Sequence, residues 1–282
     1  PLARIFNESK IWLCPGQWSF PINLPLDFIG IPSRRTKILF EDGLPFDDVC
    51  EWRSLGPINL GLGRFQEISC FHKPTGTLHV TDAIVGIDSN PPDIFDYDPS
   101  PLLFHSRDRG DEQLQDSPEK RKKGWARLVL FASYLRPSKL QIPSLIDVIK
   151  YSFKKGLRNR RAHFGIYPFL WDKDWEDSVS EIIGGNSPKI QIAPVLQRLI
   201  FPRSKNLLSN WLDLIKKHDG MKFLISAHYS SPINFSKENC ENLIKQINSE
   251  KWNHPNEDNK FLYNFYKRLY KIGIIPENVN LL

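Results

Sequence analysis

Two residues far apart along the chain, Asp82 and His228, carry the side chains best suited to chemistry. Each follows a short apolar run, residues 78–81 and 223–227, and each opens a loop. A carboxylate and an imidazole presented at neighbouring strand ends are suitable donors for zinc, iron or manganese. Two donors are too few for a closed metal site. His105, in LLFHSRD close to Asp108, is read either as a structural residue or as a replacement ligand at the edge of a cleft. His72 lies beside a turn, at the opposite end of its hairpin from Asp82, and reads as structural. His79 alternates with Leu78 and reads as a packed, hydrogen-bonded histidine. Glu67 reads as a solvated or paired carboxylate. Other chemistries lack their motifs: there is no GxSxG elbow, no P-loop and no GxGxxG.

The element that must position Asp82 is the stretch 65–86, FQEISCFHKPTGTLHVTDAIVG. Its first half alternates and is rich in β-formers. Lys73-Pro74-Thr75-Gly76 then supplies a turn, with proline pre-set for an early turn position and glycine free to take positive φ. Residues 77–81 return as a second strand. The pattern predicts a hairpin whose returning strand delivers Asp82 to its carboxyl end, where open α/β sheets place their ligands.

Short strands are expected over 10–13 and 36–40, followed by the glycine-spaced segment Gly61-Leu62-Gly63. Residues 88–117 read as a loop rich in Pro and Asp; their acid spacing lacks the central Gly and terminal Glu of a calcium loop. Ser117-Pro118 starts a helix, with Trp125, Leu128, Val129, Ala132 and Leu135 as its apolar face. Helices are expected near 142–155, 171–183, 195–201, after Ser204, and over 236–249 and 258–272. Phe261, Phe265, Leu269 and Ile272 form an apolar stripe on the last. Segments 164–169 and 190–193 read as extended. Strands followed by helices and then strands again argue an α/β fold.

At 282 residues, with 25% charged and 40% hydrophobic residues, the chain has an ordinary globular composition, which sets aside disordered and bilayer-spanning classes. The four cysteines form no CxxC pair, which argues against a zinc ribbon or disulfide framework and for a reducing compartment. The net charge of +6 gathers in Lys120–Lys123 and in Lys154, Lys155, Arg158, Arg160 and Arg161. Such clusters attract nucleic acid or anionic surfaces, but a modest positive balance specifies no partner, and the preferred reading is a solvated helix end and a polar loop. The opening PLARIF reads as the middle of a helix and the sole methionine is Met221, so further residues are expected upstream.

TLHVTDAIV resembles the strand and bridging aspartate of the metallo-β-lactamase superfamily, and LISAHYSSPI, after NLLSNWLDLIKKH, resembles its last ligand motif. PGQWSFPINLPL, LGPINLGLGRFQEISCFHKPTGTLHVTDAIVG, DPSPLLFHSRD, KGWARLVLFASYLRPS and FGIYPFLW together resemble that superfamily's domain-of-unknown-function branch from oxygenic phototrophs. The resemblance runs from Pro1 to about Ile233. It implies an αββα sandwich incomplete at its N-terminus, with a domain over 1–235, a loop insertion at 88–117 and a packed helical extension over 236–282. It also implies metal ligands at Asp82 and His228; His105 is the candidate replacement for a third. The superfamily's HxHxDH-like loop would precede Pro1, and Gly61-Leu62-Gly63-Arg64 stands where its next ligand histidine would be.

Two functional expectations follow. One is a metal-dependent hydrolase of ester, amide or phosphoester bonds, using zinc or iron on a small-molecule substrate. The other is a non-catalytic binding or scaffold protein without a complete metal centre. Nucleic acid is a third, less favoured partner. The expected location is cytoplasmic, or the plastid stroma in a eukaryote; the sequence leaves oligomeric state open.

Overall fold

The computed structural model describes residues 2–19, 22–61, 63–160, 163–254 and 256–275, so the expectations at Leu62 and for 276–282 lie outside the described residues. The predicted hairpin is present: Arg64–His72 pairs antiparallel with Thr77–His79, with Phe71 opposite Leu78. Gly76 closes the turn at φ 66°. A Cβ there would lie 2.1 Å from the Gly220 carbonyl oxygen. Only glycine lets the 220–222 segment come so close, and that approach seats the next strand, with the Lys222 amide donating to the Gly76 carbonyl (2.8 Å).

Five strands form the main sheet, in the order Ile233–Asn234, Phe223–Ile225, Thr77–His79, Arg64–His72, Cys50–Asn59. Thr77–His79 and Phe223–Ile225 run parallel, with Leu78 opposite Leu224; the other neighbours are antiparallel. The ten-residue strand Cys50–Asn59 was not expected, because Gly56-Pro57 interrupts its alternation. The structure absorbs that pair as an irregularity between Leu55 and Ile58. Helices Lys205–Lys216 and Lys237–Asn248 supply Leu208, Trp211, Leu212, Ile215 and Leu243 to a core shared with Leu55, Phe71, Leu78 and Leu224. Leu207, on the first of these helices, is exposed.

A second core lies on the antiparallel pair Ile84–Ile87 and Lys189–Ile192. It gathers Val85, Ile87, Leu102, Trp125, Val129, Leu130 and Leu262. The stretch 88–117, expected as a loop insertion, contains helices Ile94–Tyr97 and Ser100–Ser106, and the second buries Leu102 and Leu103 against Pro118–Tyr134. Four closely spaced prolines and many acids hid two helices too short to show a period. The helix Pro118–Tyr134 starts as expected, with the Ser117 hydroxyl accepting from the Lys120 amide (3.2 Å). Its face is rotated from the expected one: Ala132 and Leu135 are exposed, while Arg127 is buried. The Arg127 guanidinium lies over Trp175 and Trp171 and donates to Asp108 (2.7 Å) and to the Arg107 carbonyl (2.9 Å). A charged residue thus takes a core position because its two terminal nitrogens find acceptors and its guanidinium plane lies against two indole rings.

Residues 171–183 contain only the single turn Glu176–Val179, and 164–169 begin with the short helical turn His163–Gly165 rather than a strand. In Lys260–Lys271 it is Leu262 and Tyr266 that are buried, whereas Phe261 and Phe265 stack on each other partly exposed. This helix and the segment before it are tied to the body by Arg198, which donates to the Trp252 and His254 carbonyls, and by Asp258, which accepts from Ser138. The general α/β class holds.

Candidate functional site

The parallel pairing of Thr77–His79 with Phe223–Ile225 decides the site. The ladder continues past both strands, the Val80 amide donating to the Ile225 carbonyl (2.9 Å) and the Ala227 amide to the Thr81 carbonyl (3.1 Å). Both chains therefore leave the sheet at the same edge, and their next residues are Asp82 and His228. His228 Nε2 lies 2.7 Å from Asp82 Oδ1, with the side chains 60% and 44% exposed. A carboxylate can only accept, so Nε2 carries a ring proton, and in the neutral ring Nδ1 is the acceptor.

Both loops are held from behind. Ser226 Oγ donates to the His228 carbonyl (2.7 Å), and the Ser226 amide donates to Ser231 Oγ (2.9 Å). Tyr229 adopts φ 64°, a left-handed conformation that a bulky L residue rarely takes. Its ring contacts Trp125, its hydroxyl lies 3.3 Å from Ser133 Oγ, and the Ser230 amide donates to the Gly86 carbonyl (3.0 Å). The backbone around His228 is thus fixed to the second core.

Under Asp82 lies Glu67, which is not solvated and whose partners are backbone amides. It is 2% exposed and accepts from the Thr81 amide (3.0 Å) and the Ala83 amide (2.7 Å), clasping the turn that presents Asp82. Burial pushes its carboxyl up to about 7; the two amide bonds pull the other way and the Asp82 charge adds to the rise. The missed signal was parity: Glu67 is in phase with Phe65 and Phe71, and the strand buries every second residue.

The other sequence candidates lie elsewhere. His105, in Ser100–Ser106, is buried among Phe104, Phe131 and Phe169, and its Nδ1 has no hydrogen-bond partner. Burial, and then the charges of His163, Arg127 and Arg107, hold its imidazole down at about 4. It lines a cleft of about 1820 Å³ with Phe104, Leu157, Arg160, His163 and Phe164, and neither Asp82 nor His228 borders that cleft. His72 bonds Thr75 (2.8 Å), and His79 is exposed rather than packed. In the basic run, Lys120 pairs with Glu112, Arg121 with Asp96 and Asp116, and Lys123 with Asp108. The acids of 88–117 answer those cations within the fold.

A model described as a domain of unknown function (DUF4336) matches residues 1–245. No curated protein and no solved structure matches. The matched family is an uncharacterised one and not a metallo-β-lactamase model. Among the described residues, no group of three or more His, Cys, Asp or Glu side chains could hold a metal ion. These two findings overturn the metallo-β-lactamase resemblance, and with it the basis for the αββα sandwich. Asp82 and His228 alone do not form a closed metal site, and His105 does not join them. No helix among the described residues is long and apolar enough to cross a membrane.

Proposed function

The chain belongs to the family described as a domain of unknown function (DUF4336), and from that premise we propose that it hydrolyses ester, amide or phosphoester bonds at the Asp82–His228 pair. The observation that carries this reading is the 2.7 Å contact between two solvent-reaching side chains at adjacent ends of parallel strands. Asp82 orients the imidazole by accepting from its Nε2. His228 Nδ1 takes a proton from a water, whose oxygen attacks the carbonyl carbon or phosphorus, and the proton passes on to the leaving group. The left-handed backbone at Tyr229 and the buried clasp of Glu67 support it, because one anchors the His228 loop to the second core and the other holds the turn that presents Asp82.

The test is turnover of nitrophenyl esters, anilides and phosphoesters by the full chain. His228→Ala is expected to lose at least about 10²-fold in kcat/KM, the usual contribution of a general base. Asp82→Asn is expected to lose a smaller factor, because the imidazole loses the acceptor that orients it. Absence of turnover across the panel, or equal turnover by His228→Ala, sinks the proposal. Metal content of the purified chain is measured alongside.

A second reading, ligand binding without chemistry, draws on the cleft at His105, where an unpartnered ring nitrogen sits within an aromatic wall. A ligand seated there would raise Tm in proportion to the logarithm of its concentration, and His105→Phe would abolish that shift. A ligand-induced shift that persists in His105→Phe would place the binding elsewhere.

A further inference from the structure

The helix Leu145–Ser152 carries a row of apolar side chains that the fold leaves uncovered. Leu145, Ile146 and Ile149 are 81%, 67% and 54% exposed, and Phe153, just past the last turn, is 65% exposed. At helical spacing these positions share one face. Ile142 before the helix is exposed too, as are Phe164 and Ile166. The backbone at Gly165 packs closely on Ser152 and Tyr151, which brings the two segments side by side. A contiguous apolar area of this kind on a water-facing surface marks a docking surface.

The charge around it identifies the occupant. Residues 142–166 hold Lys150, Lys154, Lys155, Arg158, Arg160 and Arg161 against the single acid Asp147. Lys154 is answered by Asp111 (2.6 Å) and Arg158 lies over the Phe153 ring, while Lys150, Lys155 and Arg160 are exposed. This is the reverse of Lys120, Arg121 and Lys123, whose cations are met within the fold. A second copy of the chain would set two such positive faces against each other, which disfavours self-association. We propose that this face, from Ile142 through Phe153 and including Phe164 and Ile166, seats the protein on an anionic lipid surface. The apolar row enters the acyl boundary while the cations lie among the headgroups.

Co-sedimentation of the full chain with vesicles tests this, comparing pure phosphatidylcholine with phosphatidylcholine containing phosphatidylglycerol. Anionic vesicles are expected to retain the protein at least about tenfold better, and added salt is expected to reduce binding. Lys150→Ala and Lys155→Ala are each expected to weaken it about fivefold. Ile146→Asp combined with Ile149→Asp is expected to abolish it. Both side chains are exposed, so an unchanged circular dichroism spectrum and Tm will show that the fold survives. Failure to bind either vesicle, equal binding to both, or full binding by the double aspartate variant overturns the proposal. So does a concentration-dependent dimer in sedimentation that the double variant dissociates.

Discussion

Gly124→Ala is expected to destabilise the chain by about 3 kcal/mol or more, although alanine is the better helix former by about 1 kcal/mol. Gly124 lies in the first half of Pro118–Tyr134, where Ser100–Ser106 crosses it. A Cβ at this position would stand 1.8 Å from the Leu102 carbonyl oxygen and 2.5 Å from its carbonyl carbon. The obstacle is backbone, so no rotamer change relieves it. The two helices would have to separate, opening the core around Leu102, Trp125, Val129 and Leu130. Packing therefore outweighs propensity. Urea denaturation measures the loss; Gly185→Ala, where nothing lies within 4 Å, is the control and should change stability by less than about 0.5 kcal/mol. A Gly124→Ala chain as stable as wild type would mean that the helices do not meet this closely.

Replacing either Glu67 or His105 is expected to reveal a steep pH dependence of stability that wild type conceals. Glu67 rises from 4.5 to about 7 on folding, so between those values the folded chain holds a proton that the unfolded chain has lost, and stability falls as pH rises. His105 drops from 6.5 to about 4, so across that range the unfolded chain holds the extra proton, and stability rises with pH. Between 4.5 and 6.5 the two slopes oppose each other and nearly cancel. Each alone is worth on the order of 3 kcal/mol. In Glu67→Gln, stability should climb from pH 4.5 to 6.5, because the lowered histidines, His105 together with His79 and His218, are no longer opposed. In His105→Phe, which keeps an aromatic ring among Phe104, Phe131 and Phe169, stability should decline from pH 4.5 towards 7. Denaturant melts at a series of pH values read this directly. Parallel curves for wild type and both variants would show that neither group changes its proton affinity on folding.

Glu67 also underlies the Asp82 half of the proposed site. Its carboxyl holds the amides on either side of Asp82, so a change in its protonation alters the support beneath the pair. The pH profile of any hydrolysis should therefore change shape in Glu67→Gln even though Glu67 touches no solvent-reaching atom of the pair.

The elements that the sequence determines by itself are those whose signals are local. The turn Lys73–Gly76 with alternation on both sides defines the hairpin, and Ser117-Pro118 starts its helix one residue later. Both features depend on neighbours a few residues away. Exposure of apolar residues around Leu145 and burial of Arg127 are different, because each depends on what lies across space. The aromatic pair Trp171 and Trp175 that receives Arg127 belongs to another segment, and nothing in the helix period announces it. The Asp82–His228 pair sits between these cases. Composition singled out both residues, since each ends an apolar run with a side chain that can act. Their meeting was decided by the parallel register of two three-residue strands, fastened by the close approach of Gly220 to Gly76. Strands that short carry almost no register information of their own. Only the packed sheet, with Leu78 and Leu224 side by side in its core, brings an acid and an imidazole from distant parts of the chain to one edge.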